Sequence, residues 1–181
     1  MITSTAVNRP TIPGHWVHRA DIEAAAIRSY RQHDLAGART LPALVGQVAQ
    51  LHGKPIGLTA ISDFAWDTLT ALWVDYPDRA QIFYRAADSP LYQTHCILHE
   101  LAHIALQHPG CNVLPQEQDL TEYTNGGGAI RGRLLATDSL EVPNLAATPR
   151  QVVEGEAEHL AHLLSASLFR PTFSVDEDLF G

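Results

Sequence analysis

Apolar residues recur along the chain with two different periods, and the change from one to the other outlines the fold. Between Ala20 and His33, the residues Ile22, Ala25, Ala26, Ile27 and Tyr30 fall at helical spacing, which predicts an amphipathic helix. Leu44, Val45, Val48 and Leu51 repeat the pattern between Leu41 and His52, and Gly37 and Gly53 mark the two helix ends. The texture then changes to short runs rich in β-branched and aromatic residues, Ile56 to Ile61, Leu69 to Val74 and Gln81 to Tyr84, which read as strands. The last two flank Asp75-Tyr76-Pro77-Asp78, a turn sequence, and so predict a hairpin.

A further helix is announced by Ser89 as its cap and Pro90 at its first position. It is expected to reach about Gln107, because His108-Pro109-Gly110 cannot continue it. Residues 111–147 show no period, and Asn125-Gly126-Gly127-Gly128 in their middle predicts a mobile loop. Thr148-Pro149-Arg150-Gln151 combines a capping box with an N-terminal proline and opens a last helix that lasts to Arg170-Pro171. The expected organisation is an extended arm at 1–18, a single domain at 19–171 and an acidic tail at 172–181. The fold class is α+β: N-terminal helices, a small three-stranded sheet or hairpin, the Ser89-capped helix and a C-terminal helix.

With 181 residues and 45% hydrophobic content, the chain is long enough for one self-sufficient core. No stretch approaches the roughly 18 apolar residues of a membrane span, and the first residues lack a signal-peptide core. A cytoplasmic location is the expectation. Two cysteines, Cys96 and Cys111, are too few for a disulfide scaffold or for zinc held by thiolates alone. The net charge of −8 argues against direct nucleic-acid binding. That charge is uneven: residues 1–90 carry eight acidic and eight basic side chains, and residues 91–181 carry twelve and four. Four of the ten histidines lie between His95 and His108, which is where chemistry is to be sought.

There, His99-Glu100-Leu101-Ala102-His103 is an HExxH motif. Residues four apart share a helix face, so both imidazoles can reach one zinc ion with the glutamate beside it as general base. On a helical wheel Leu91, Leu98, Leu101 and Ala105 form one apolar stripe, and His99 and His103 lie opposite it. A catalytic zinc needs a third protein ligand. Within Glu154-Gly155-Glu156-Ala157-Glu158, Glu154 fits best, because it borders the apolar stripe of the last helix, whereas Glu156 is expected to point to solvent. Ala157 and Ala161 would let the two helices approach. His95, Glu158 and His162 are the candidates to support the ligands or touch substrate, though His95 also reads as a satisfied, partly exposed histidine. His108 reads as a cation at a helix C-terminus, Cys96 as a buried thiol, and Trp16, Trp66 and Trp73 as core or hairpin aromatics. No oxyanion-stabilising residue stands out among His159, His162, Tyr123 and Arg150. Glu117, Asp119 and Glu122 read first as loop solvation.

The HExxH at His99 to His103, followed by Glu154-Gly155-Glu156-Ala157 continuing through Ala161 to Leu163-Leu164, resembles the ImmA/IrrE family of zinc metallopeptidases. The resemblance covers roughly Ala20 to Leu168. It implies a zincin-like metallopeptidase fold with an HExxH helix and a C-terminal ligand-bearing helix, in which His99, His103 and Glu154 hold one zinc and Glu100 is the catalytic glutamate, and it implies a helix-turn-helix repressor in a bacterium or phage as the substrate. Two features differ from the family pattern: Ser165-Ala166-Ser167 stands where Met-Pro is usual, and the interval from His103 to Glu154 is longer. The functional expectation is a zinc endopeptidase. Its rivals are a zinc-containing regulator that binds a repressor or antitoxin without cutting it, and a toxin-like hydrolase acting on another bond.

Overall fold

A computed structural model describes residues 19–62, 69–109, 127–132 and 148–170. The expected arm with Trp16, Trp66, Cys111, Tyr123, the Glu117, Asp119 and Glu122 group, most of the expected loop and the acidic tail lie outside the described residues. In chain order the elements are α1 (Arg19–Gln32), a 3-10 turn (Leu35–Gly37), α2 (Leu41–His52), β1 (Ile56–Ile61), β2 (Ala71–Asp75), β3 (Ala80–Arg85), α3 (Pro90–Ala105), β4 (Ala129–Gly132) and α4 (Pro149–Leu168). The described residues are thus α+β, with four helices and one four-stranded sheet among them.

The helices begin where their capping residues place them. Thr40 Oγ1 accepts from Ala43 N at 3.3 Å, and Ser89 Oγ accepts from Tyr92 N at 3.4 Å. Thr148 and Gln151 form both halves of a capping box, at 3.2 and 2.8 Å. Each contact satisfies an amide that the first helical turn leaves without a partner. Gly53 closes α2 at φ 78°, a conformation that glycine adopts without a Cβ clash. Gly37 closes the 3-10 turn, and α1 stops earlier, at Gln32.

The sheet order is β1-β3-β2-β4, with β1 parallel to β3 and β2 antiparallel to both of its neighbours. The expected hairpin is β2 and β3, but the sheet has four strands rather than three. The additional strand, β4, lies inside the segment expected to be a loop. Gly128, just before it, allows close approach: a Cβ there would stand 2.5 Å from Val74 Cγ1 and 2.7 Å from Tyr76 Cε1.

Alternation along β2 divides the apolar residues between two faces. Trp73 joins the main core with Ile82, Leu44, Val48, Leu98, Leu101, Leu160 and Leu164, while Leu69, Leu72, Val74 and Tyr76 form a smaller cluster. Each fully buried leucine contributes about 1.5–3 kcal/mol of transfer free energy. Helix α3 packs against α2 and the sheet on one side and α4 on the other, and α1 in turn packs on α4. As a result every residue of α3 from Cys96 to Ala105 is buried. The reading of α3 as a helix with one buried face is therefore corrected. Leu91, expected in its core stripe, is 66% exposed, and His99 and His103 are buried on the face that α4 covers. Ala157 and Ala161 are fully buried there, as small residues at a close helix contact should be.

Candidate metal centre

The packing of α3 on α4 brings together two rows of side chains spaced one helical turn apart. His95, His99 and His103 rise along α3, and Glu154, Glu158 and His162 rise along α4 in the opposite direction. Four-residue spacing keeps each row on one helix face, so the two polar rows meet inside an otherwise apolar contact. Buried polar groups require partners, and here the rows supply them to each other.

At the inner end His99, His103 and Glu154 converge, with one ligand atom from each lying within 4.8 Å of the others. His99 Nε2 and His103 Nε2 are 3.0 Å apart, and Glu154 Oε2 lies 3.3 Å from the first and 3.7 Å from the second. For metal–ligand distances of about 2.0–2.1 Å in a tetrahedral site, ligand atoms stand about 3.3 Å apart. The three measured separations bracket that value, so the donor set fits one small divalent ion. His99 is 1% exposed and His103 8%.

The outward-facing ring nitrogens complete the accounting. With an ion held by both Nε2 atoms, each Nδ1 would carry the proton. His99 Nδ1 then donates to Glu158 Oε2 at 3.1 Å. His103 Nδ1 donates to His108 Nδ1 at 3.0 Å, and His108 Nε2 donates onward to Glu156 Oε2 at 3.0 Å. Such partners fix ring orientation and tautomer and raise ligand basicity.

Two expectations are corrected by this chain of contacts. Glu156 does not point to solvent but lies against His108, with only 12% of its side chain exposed. His108 is not a surface cation at a helix end, since it is buried between His103 and Glu156. The end of α3 explains its position. The Gln107 amide bonds Ile104 O and the His108 amide bonds His103 O, both at 3.0 Å, with Gln107 at φ 53°. This paired closure folds the chain back over the last turn and lays the His108 ring against His103. The only sequence signal was a histidine five residues after the motif and a second glutamate two residues after Glu154.

Electrostatics favour a cation at the cluster. Burial pushes the His103 imidazole down from 6.5 to about 4, overriding the nearby Glu154 carboxylate, so at neutral pH it offers a lone pair rather than a positive charge. Burial acts to raise the Glu154 carboxyl, but the His103 and His99 imidazoles beside it hold it well below the usual carboxylate range. A neutral His103 imidazole and an ionised Glu154 carboxylate are the donor states a metal requires.

The remaining candidates fall around this cluster. Glu100 follows His99 in the most enclosed part of α3, at 1% exposure. His95 Nε2 and His162 Nε2 lie 3.5 and 3.4 Å from Glu158 Oε1, one tier outward from the ligands. Cys96 is a buried thiol, and Trp73 is a core residue, as expected. Arg150 is exposed in the first turn of α4 and His159 is half-buried farther along. No helix among the described residues is long and apolar enough to cross a membrane. Against known proteins the chain matches no family model, no curated protein and no solved structure.

Proposed function

We propose that the protein is a zinc-dependent endopeptidase of the zincin type, with His99, His103 and Glu154 as ligands and Glu100 as the catalytic glutamate. The observation that carries this reading is the convergence of HExxH histidines on α3 with a glutamate from α4, at separations suited to one ion. Among the described residues three side chains meet there, and three protein ligands leave a coordination position open, as catalytic zinc sites do and closed structural sites do not. Two nitrogens and one oxygen in this spacing suit zinc.

When bound, zinc supplies Lewis acidity, lowering the pKa of water toward 7 and polarising the scissile carbonyl. The chain's own groups do the rest. Glu100 takes the proton from the attacking water and passes it to the leaving amine, a transfer that needs a carboxylate held beside the ligands. Glu158 orients His99, and the His108–Glu156 pair orients His103, so that both rings keep their lone pairs inward. A substrate in extended form can add to an edge of the sheet through main-chain hydrogen bonds. The substrate class, a helix-turn-helix repressor, is supported by the sequence resemblance to the ImmA/IrrE family.

Co-expression with a helix-turn-helix repressor encoded beside the gene, followed by intact-mass analysis, tests this. The wild type should yield two repressor fragments and Glu100→Gln only the intact chain. Repressor that stays whole but bound to zinc-loaded wild type would favour the non-cutting regulator instead.

A further inference from the structure

The ladder between α3 and α4 continues outward beyond the three ligands. Its next tier is His95, Glu158 and His162, and Glu158 belongs to both tiers: its Oε2 faces His99 Nδ1 at 3.1 Å, while its Oε1 faces His95 Nε2 at 3.5 Å and His162 Nε2 at 3.4 Å. We propose that His95, Glu158 and His162 form a second site for a divalent transition-metal ion such as Zn2+, weaker than the inner one. The inference stands whether or not the protein is a peptidase.

The donor set repeats that of the inner site, two imidazoles and one carboxylate, which is a borderline-soft set suited to zinc rather than to magnesium or calcium. Both imidazole-to-carboxylate separations already match the spacing of about 3.3 Å between ligands of one tetrahedral ion. What differs is the distance between the rings. The His95 and His162 centroids are 6.0 Å apart, against 4.7 Å for His99 and His103. Closing that gap takes a rotation of His162, whose side chain is 66% exposed and attached to the surface of α4, and rotation between staggered wells is open to such a side chain. His95 is the better-ordered partner, because its ring stacks on Tyr92 at 6.3 Å and 28°. The need to reorder His162 makes the site the weaker of the two. Partial exposure of all three side chains gives an ion entry from water and leaves positions for water ligands.

The test uses the full chain, stripped of metal and dialysed against buffered free zinc, with bound zinc measured by elemental analysis. Wild type should bind one equivalent at low free zinc and a second at higher free zinc. His95→Ala and His162→Ala should each bind one equivalent fewer than wild type at the higher concentration while keeping the tight one. Glu154→Ala should lose the tight equivalent and keep the weaker, which separates failure of this site from failure of the inner one. His162 is a surface residue, so its replacement leaves the fold intact, and circular dichroism verifies this. A wild type that saturates at one equivalent, or a weaker equivalent that survives in either histidine variant, overturns the proposal.

Discussion

The imidazole of His99 is held from behind by Glu158, whose Oε2 lies 3.1 Å from His99 Nδ1 across the contact between α3 and α4. A ring fixed in this way offers Nε2 inward without an entropic penalty at binding, and the carboxylate raises its basicity. Glu158→Ala is therefore expected to weaken tight zinc binding about 10–100-fold while leaving its stoichiometry at one. Competition with a chromophoric chelator measures this. Unchanged affinity would show that the contact does not support the ligand.

The His108–Glu156 pair should act in the same way on His103. His108→Ala is expected to lower zinc affinity by about 10–100-fold. Glu156→Ala removes the acceptor of a buried N–H, so a loss of about 1–3 kcal/mol in unfolding free energy is expected. Chemical denaturation of the metal-free chain reads the second effect. A Glu156→Ala protein as stable as wild type would return that side chain to the solvent-facing role its wheel position suggested.

Acid should destabilise the metal-free fold through His103. Its pKa falls from 6.5 unfolded to about 4 folded, so between those values the unfolded chain binds a proton that the folded chain does not, and stability drops as pH falls. The loss is about 3 kcal/mol, complete near pH 4. Glu154, also lowered, stabilises the fold above its unfolded value of 4.5 and withdraws that contribution at still lower pH. Denaturation midpoints from pH 7 to pH 4 should thus slope downward, and His103→Asn should flatten the slope between pH 6.5 and pH 4.

Gln107 occupies the left-handed conformation at φ 53° that closes α3. L-residues resist this conformation, whereas achiral glycine does not. Gln107→Gly is expected to stabilise the protein by about 0.5–1 kcal/mol, with zinc affinity retained, because the closing hydrogen bonds are made by the backbone. A destabilised variant would show that the Gln107 side chain matters in its own right.

The parts of this fold that were legible in the sequence are those set by local chemistry. Ser89 and Thr148 each cap the helix they announce, since a cap is a contact between residues three apart. The HExxH spacing and the place of Glu154 beside an apolar stripe likewise located the cluster, because one helical turn is enough to align its members. What escaped depends on contacts distant in sequence. β4 is four residues long and owes its place to pairing with Leu72 to Asp75 of β2 rather than to any period of its own. Glu156 looked outward on a wheel that knows only one helix, but His108 arrives from the end of α3 and covers it. The burial of His99 and His103 was hidden for the same reason: a second helix covers the face that a single amphipathic pattern assigns to water.

The most direct test of the peptidase account compares zinc-loaded wild type with zinc-loaded Glu100→Gln on a native lysate of the source organism, with new protein N-termini read by mass spectrometry. Both proteins should carry the tight zinc, since Glu100 is not among the converging ligands. Loss of a general base typically lowers rates by about 10²- to 10⁴-fold. The account predicts new termini on at least one lysate protein with wild type and none with Glu100→Gln over the same interval. Identical termini from both proteins, or none from wild type at full zinc occupancy, would contradict it.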